Sequence, residues 1–299
     1  AMRLFILCLS VILAFIANGF CEENGTEWKS DKLGEWIIVP MKNAPYPHQS
    51  RENGWSNKDN SYSFYANYSD SSVGILIPPF YEQKDAVDLA IHFHGHMNNV
   101  AKQIEQFNLR HQLNDSHRNI ILLLPQGPKN ARDSGCGKME DPNGLKNLIA
   151  EAVDFLFESG KIKTKQIGNV ILSGHSGAYR PLAYCLDVGG MDSNISEVYL
   201  MDASYANLES YSNWAARSGG RFISIFTSHL AGENVKIMRN IQQMGVKDFP
   251  ILLDEDVTTE TLKKNRIIFI HTALGHNELM FETQYLSRFW ETGEPDKAK

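Results

Sequence analysis

A serine stands between small residues in the run Gly174–Ala178 (GHSGA), directly after the run 169–172 (NVIL) and before a segment with helical character. This context predicts a nucleophile elbow, a tight turn from strand to helix that lifts the hydroxyl of Ser176 clear of a sheet. The helix that follows would aim its positive N-terminal end at the reacting carbonyl. The five letters also occur by chance, but the strand before and the helix after favour covalent catalysis through Ser176.

A nucleophilic serine needs a general base, and two histidines compete for that role. His276 lies in the loop after the apolar run 267–270, at the carboxyl end of a predicted strand. His271 is still within that strand, where a hydrogen-bonded structural histidine is more common. We therefore predict that His276 takes the proton of Ser176 and returns it to the leaving group.

The third member of such a site is a carboxylate that orients the imidazole. Asp202 directly follows the apolar run 198–201, so no slack in a loop separates it from its strand. Glu233 lies several residues beyond the next strand, near the start of a predicted helix, where the helix dipole also favours acids. Asp202 gives the chain order Ser, Asp, His, and we predict it as the acid, with Glu233 as the alternative.

An acyl-transfer site also needs two N–H donors for the oxyanion. The backbone of Gly177 would supply one, and the loop at His94 and Gly95, after an earlier strand, would supply the other. His92, His94 and His96 also alternate like metal ligands on one face of a strand, which leaves a metal-dependent hydrolase as an alternative. Against a metal, no further group of ligands has suitable spacing, and Gly95 ends the strand before His96.

The elements that must position these residues are predicted from hydrophobic patterns. Ala86–Phe93 and Ile120–Leu124 are near-continuous apolar runs, typical of strands buried on both faces, and predicted helices separate the strands that follow. Tyr62–Tyr68 and Val73–Ile77 alternate, which indicates an antiparallel pair, and Glu278–Trp290 is predicted as a closing amphipathic helix. The fold class is therefore α/β: a mostly parallel doubly wound sheet flanked by helices on both faces, with its site beyond the carboxyl ends of the strands.

Length and charge narrow the classes of partner. A chain of 299 residues is long enough for one large α/β domain, and no boundary divides it. Its 35 acidic and 29 basic residues give a net charge of -6, and no basic block is present. This balance gives no electrostatic support for a nucleic-acid or anionic-membrane partner, and favours a small-molecule or peptide-like substrate.

The N-terminus has the pattern of an export signal. One basic residue, Arg3, precedes an uncharged apolar stretch that ends in small residues, so we predict a signal peptide over residues 1–21 and a periplasmic or secreted protein. An uncleaved signal anchor, or lipidation of Cys21, would instead hold the protein at a membrane, but Phe20 is bulky for a lipoprotein signal. Residues 22–60 are predicted as an extension with an edge strand at Trp36–Val39, and residues 61–299 as the catalytic domain.

Taken together, these motifs resemble the α/β-hydrolase superfamily from about residue 60 to the end of the chain. The resemblance implies a Ser/His/acid hydrolase that needs no cofactor and no metal. The matching positions are the elbow at Ser176, the oxyanion loop at His94 and Gly95 with Gly177, and the base at His276. The sequence departs from the family at Ala178, which replaces a second glycine, and in lacking an acid in the turn directly after Phe226, where the family most often has it.

The substrate is less well specified by the sequence. The loop Gln126–Gly144 follows a strand on the active side and resembles the corresponding loop of secreted esterases. It contains no long apolar stretch that would form a lipase lid, so a soluble ester is predicted, with an amide or peptide as the alternative. His96 and Arg180 are candidate substrate contacts, although an ion pair is the commoner fate of such an arginine. A non-catalytic binding protein on the same fold also stays open.

Overall fold

Ten strands form one sheet in this computed structural model, which describes residues 27–293. The order across the sheet is β1-β2-β5-β7-β6-β8-β9-β10-β12-β11, and β3 and β4 form a separate hairpin. The strands are β1 (Lys29–Asp31), β2 (Gly34–Pro40), β3 (Trp55–Ser56), β4 (Ser61–Tyr62), β5 (Ser72–Ile77), β6 (Val87–Phe93), β7 (Ile121–Pro125), β8 (Ile167–His175), β9 (Ile195–Met201), β10 (Arg221–Phe226), β11 (Ile251–Leu253) and β12 (Ile267–His271).

The seven strands from β7 to β11 in the sheet order all run parallel. The strands β1, β2 and β5 pair antiparallel at the other side of the sheet, where β5 also pairs antiparallel with β7. The predicted mostly parallel α/β sheet is therefore confirmed. Because the carboxyl ends of parallel strands share one edge, the loops after β6, β8, β9, β10 and β12 come together there.

Helices cover both faces of this sheet. They are α1 (Phe64–Asn67), α2 (Val100–Gln106), α3 (Leu109–Asp115), α4 (Gly144–Glu158), α5 (Tyr179–Val188), α6 (Leu208–Arg217), α7 (Ala231–Gln243), α8 (Thr259–Lys264) and α9 (Tyr285–Thr292). One core packs α4, α5, α6 and α7 against one face, and a second core packs α2, α3, α8 and α9 against the other. Alternation along the strands explains the two cores, since Val170 and Leu172 enter the first and Ile171 enters the second.

The predicted strand Tyr62–Tyr68 is wrong. The hydroxyl of Ser63 accepts a hydrogen bond of 3.3 Å from the backbone N–H of Ala66, and this cap begins the short helix α1. The strand β5 does form, but it pairs with β2 and β7 rather than with the preceding segment. The run Trp36–Val39 lies in β2, and β1 lies outside it at the edge of the sheet.

The predicted single helix Glu278–Trp290 is also wrong. A 3-10 turn, Glu278–Met280, is separated from α9 by a break in which Gln284 has φ +49°. Both pieces bury apolar side chains in the same core, so the periodic pattern continues across the break. Between residues 27 and 293, none of the helices is both long enough and apolar enough to span a bilayer. The predicted signal peptide 1–21, with Cys21, lies outside the described residues.

A buried group of charges lies at the opposite edge of the sheet from the carboxyl ends. Glu197 accepts hydrogen bonds from Arg118 at 2.8 Å and from Arg221 at 3.4 Å, and it also accepts one from the hydroxyl of Tyr199. The exposed fractions of the three charged side chains are between 4% and 9%. Removing the carboxylate charge would take away the buried anion that these two guanidinium groups share.

We therefore expect Glu197→Gln to lower the free energy of unfolding by about 3–5 kcal/mol. The matched control is Glu35→Gln. The side chain of Glu35 is 39% exposed and forms a 2.7 Å ion pair with Lys161. Breaking this exposed pair should lower the free energy of unfolding by no more than about 1 kcal/mol. Urea unfolding followed by circular dichroism measures both. Equal effects of the two substitutions would show that the buried group does not carry this stability.

Candidate active site

The nucleophile elbow has the geometry that its residues require. Strand β8 ends at His175, the turn Ser176–Ala178 is 3-10, and α5 begins at Tyr179. Ser176 has φ +56°, in the left-handed region, where a residue other than glycine is strained. A Cβ at Gly174 would lie 2.8 Å from the Cβ of Ala178, so strand and helix cross too closely for larger side chains. The strain is characteristic of a functional turn.

Three side chains from three different loops form one hydrogen-bonded line. Nε2 of His276 lies 2.7 Å from Oγ of Ser176, and Nδ1 of His276 lies 2.6 Å from Oδ2 of Asp202. Asp202 is fully buried, and Ser176 is 8% exposed. With Asp202 ionised, Nδ1–H donates to the carboxylate, and Nε2 is left free to accept the proton of the serine hydroxyl. The structure thus brings together the three residues that the sequence analysis selected.

The Asp202 carboxylate is held by more than the imidazole. It accepts a 2.9 Å hydrogen bond from the backbone N–H of Thr227, and the hydroxyl of Thr227 lies 3.0 and 3.2 Å from its two oxygens. Burial alone would raise the pKa of this carboxyl, but the hydrogen bonds from His276 and Thr227 lower it below the usual value. Asp202 therefore stays ionised at neutral pH, as an acid that orients an imidazole must.

His175 supports the loop that carries His276. Its Nε2–H donates a 2.8 Å hydrogen bond to the carbonyl oxygen of His276, and the two rings lie 4.7 Å apart between centroids. Complete burial is the main cause that lowers the pKa of His175 to about 3, so its ring is neutral. The sequence analysis did not select His175, although its place beside the nucleophile was a signal. His271 is separate from this group and contacts Ser228 at 3.0 Å.

The loop at His94 and Gly95 packs directly against the nucleophile. A Cβ at Gly95 would lie 2.8 Å from the Cβ of Ser176, so only glycine allows this approach. Nδ1–H of His94 donates to the carbonyl of Gly95 at 2.8 Å, and Nε2 accepts the N–H of Gly127 at 3.0 Å. Burial is the main cause that lowers the pKa of His94 to about 4. The side chain of His94 therefore shapes the loop, and only its backbone remains available to a substrate.

His96 lies on the same side of Ser176 as the loop at His94 and Gly95. Its Nε2 is 2.8 Å from the hydroxyl of Ser134, and its ring fills the space beside Gly177, where a Cβ would lie 2.4 Å from it. The neighbouring Asp133 accepts hydrogen bonds of 2.7 and 3.0 Å from Arg51 and fixes the N–H of Gly135 at 2.8 Å. A buried ion pair thus holds the loop that carries the partner of His96.

The three alternating histidines do not converge on one point. Nδ1 of His92 lies 2.9 Å from the hydroxyl of Ser173, while His94 and His96 have the separate partners given above. Burial is the main cause that lowers the pKa of His92 to about 3. Within residues 27–293, the side chains that could together reach a metal ion are instead Asp202, His229 and His276. The three histidines on which the metal-dependent alternative was based therefore do not form one set of metal ligands.

Arg180 is paired within the protein. Its guanidinium donates two hydrogen bonds of 3.1 Å to the two oxygens of Glu140, which also accepts the N–H of Cys136 at 3.0 Å. The pair links α5 to the loop over the site. Arg180 was predicted as a candidate substrate contact, but the structure gives it this structural partner instead.

Solved structures were compared with this fold. One is a serine-to-alanine mutant of the feruloyl esterase module from Clostridium thermocellum, complexed with sinapinate, at 12% identity and a TM-score of 0.51; the match covers 91% of this chain and 95% of that one. The chain has the α/β-hydrolase fold. No protein-family model matches the chain, and no curated protein matches it at a significant level.

Two further solved structures with lower TM-scores come from Staphylococcus aureus. FphF, a fluorophosphonate-binding serine hydrolase with bound substrate, is 9% identical with a TM-score of 0.48, over 87% of this chain and 98% of that one. An S-formylglutathione hydrolase, FrmB, is 10% identical with a TM-score of 0.48, over 74% of this chain and 90% of that one.

Asp202 does not follow the strand after which the resemblance to the α/β-hydrolases predicts an acid. That strand is β10, which ends at Phe226, and the next residue is Thr227. Asp202 follows β9 instead and has φ +49°, which turns its carboxylate toward Thr227 and His276. Glu233, the alternative acid, lies in the first turn of α7. The carboxylate of Asp202 therefore reaches Nδ1 of His276 from β9, the strand before β10 in the chain.

We expect Asp202→Asn to slow reaction of Ser176 with a fluorophosphonate by about 10⁴-fold, because an amide cannot hold His276 in the productive tautomer. The matched control is Glu233→Gln, which should react at the wild-type rate. Intact-mass spectrometry over time measures the labelling rate of both. Wild-type labelling of Asp202→Asn, or loss of labelling in Glu233→Gln, would contradict the choice of Asp202.

Proposed function

We propose that this protein is an exported serine hydrolase that cleaves a carboxylic ester through an acyl-enzyme on Ser176. The observation that carries the proposal is the unbroken line from Asp202 through His276 to Ser176, with contacts of 2.6 and 2.7 Å. Both distances lie within hydrogen-bond reach, and the nucleophile stands on a strained turn at the carboxyl edge of the sheet.

In the first half of the reaction, Oγ of Ser176 attacks the ester carbonyl and its proton passes to Nε2 of His276. Asp202 stabilises the imidazolium that forms, without taking the proton itself. The tetrahedral intermediate then collapses, the C–O bond to the alcohol breaks, and His276 gives its proton to the leaving oxygen. In the second half, water attacks the acyl carbonyl and gives a proton to Nε2 of His276. The bond between the carbonyl carbon and Oγ of Ser176 then breaks, His276 returns the proton to Oγ, and the acid is released.

The developing oxyanion would lie between Gly177 and the loop at His94 and Gly95. A Cβ at Gly95 would collide with Ser176, and a Cβ at Gly177 would collide with the ring of His96, so only glycine fits at these two positions. Removing one donor of this kind costs about 3–4 kcal/mol of transition-state stabilisation. The neutral ring of His94 holds the loop in place before the substrate arrives.

Exposed side chains lie close to Ser176. Tyr205 is 41% exposed, His96 is exposed beside Gly177, and Met97, the next residue after His96, is 42% exposed. In the feruloyl esterase module named above, the ligand is sinapinate, the anion of a substituted cinnamic acid. We propose by analogy that an ester of a small organic acid is the substrate here.

The proposed nucleophile is tested with a fluorophosphonate probe, which labels activated serines. We expect stoichiometric labelling of the folded protein, with the added mass on the peptide that contains Ser176, because His276 can accept its proton. Ser176→Ala should take up no label. An unlabelled, folded wild-type protein would overturn the proposal in favour of a binding protein, and a panel of esters and amides would then define the substrate of a labelled one.

Export is tested on protein from the native host. The pattern of residues 1–21 predicts that the mature chain begins at or near Glu22. Mass spectrometry of its N-terminal peptide measures this directly. A chain that still begins near Met2 would contradict cleavage, and a lipid on Cys21 would replace release with anchoring.

A further inference from the structure

A second hydrogen-bonded chain links Asp202 to the nucleophile, by a route that avoids His276. The Asp202 carboxylate contacts Oγ1 of Thr227 at 3.0 Å, and Oγ1 lies 2.5 Å from Nδ1 of His229. Nε2 of His229 lies 2.8 Å from the hydroxyl of Tyr205, which itself lies beside the hydroxyl of Ser176. These three residues follow the ends of β9 and β10, and the sequence analysis selected none of them.

The direction of each hydrogen bond in this chain follows from Asp202. An ionised carboxylate only accepts, so the single hydroxyl proton of Thr227 must point toward it. The oxygen of Thr227 then accepts a hydrogen bond from Nδ1–H of His229. In its neutral form this ring has one proton, so Nε2 is an acceptor, and the phenol of Tyr205 donates to it.

The phenol oxygen of Tyr205 therefore presents lone pairs rather than a proton to the site. Burial, and then the charge of Asp202, raise the pKa of Tyr205 and outweigh the hydrogen bond with Ser176, which lowers it, so the phenol keeps its proton and directs it at Nε2 of His229. Tyr205 as a whole is 41% exposed, so the residue is open to a substrate that binds beside Ser176. An acceptor at this place can bind a hydrogen-bond donor on the substrate.

The position of Tyr205 indicates which part of the substrate it meets. Its ring lies 6.4 Å from that of His276 and 5.6 Å from that of His229, between centroids, and these two histidines are 5.7 Å apart. The oxyanion loop contacts Ser176 through Gly95 instead. Because His276 must reach the leaving oxygen, a group clustered with it lies on the side of the leaving alcohol.

We propose that Tyr205 determines specificity by accepting a hydrogen bond from a hydroxyl group on the alcohol part of the ester, close to the scissile oxygen. The preferred substrate is then an ester whose alcohol carries at least one further hydroxyl group. Thr227 and His229 are positioning residues, which act by fixing the direction of the phenol proton. This inference rests on the proposed ester hydrolysis at Ser176.

The test compares two cinnamic esters, the 2-hydroxyethyl and the 2-methoxyethyl, which differ in the hydrogen-bond donor. The wild type should favour the hydroxyl ester about two- to twelvefold in kcat/KM, the range of one neutral hydrogen bond. Tyr205→Phe, which removes only the phenol oxygen, should bring this ratio close to one. His229→Gln should lower it in part, and Tyr184→Phe, a control on α5, should leave it unchanged.

The outcomes separate this inference from the proposed function. Equal ratios in the wild type and Tyr205→Phe would overturn the role of Tyr205, as would an equal loss of kcat/KM on both esters, which indicates a structural role. If Tyr205→Phe does not fold, the inference is tested instead by the ratio of kcat/KM on the two esters in the wild type and in His229→Gln. A wild type that takes the fluorophosphonate label but lacks the preference overturns only the inference. Failure to label Ser176 overturns both.

Discussion

The buried charge of Asp202 is the constraint on which the site depends. A carboxylate without solvent contact must have its oxygens satisfied by donors, and here they come from His276 and from the N–H and hydroxyl of Thr227. Those donors belong to the loops after β12 and β10, while Asp202 follows β9. One charge therefore fixes the relative positions of three strand ends, and Ser176 on β8 completes the arrangement through His276.

Buried neutral histidines hold further loops around the site in place. Burial is the main cause that lowers the pKa values of His92, His94 and His175, so each ring has one donor and one acceptor nitrogen. His94 uses both nitrogens to hold the loop around Gly95, and His175 uses one to hold the carbonyl of His276. A charged ring at His94 would have two donors and no acceptor, so the N–H of Gly127 would lose its hydrogen-bond acceptor.

The sequence predicted what depends on local chemistry. The elbow, the parallel strands and the loop positions of Asp202 and His276 follow from apolar runs and from the residues that end them. The helix at α1 was missed because one side chain, Ser63, decides it against the alternating pattern. Tyr205 and His229 were missed because a hydrogen-bonded chain between two loops leaves no periodic signal. The partner of Arg180 likewise comes from a distant loop, at Glu140.

The ion pair between Arg51 and Asp133 connects the segment before residue 60 to a loop of the candidate site. Arg51 crosses from the N-terminal extension to the loop that carries Ser134, and its guanidinium is also close to the rings of Trp55 and Tyr68. A fragment beginning at residue 61 would retain every proposed catalytic residue in its sequence. It would lack Arg51, however, which is the counterion of Asp133, and the side chain of Asp133 is only 5% exposed. The smallest piece of this chain that keeps the candidate site intact is therefore expected to be larger than the motifs alone.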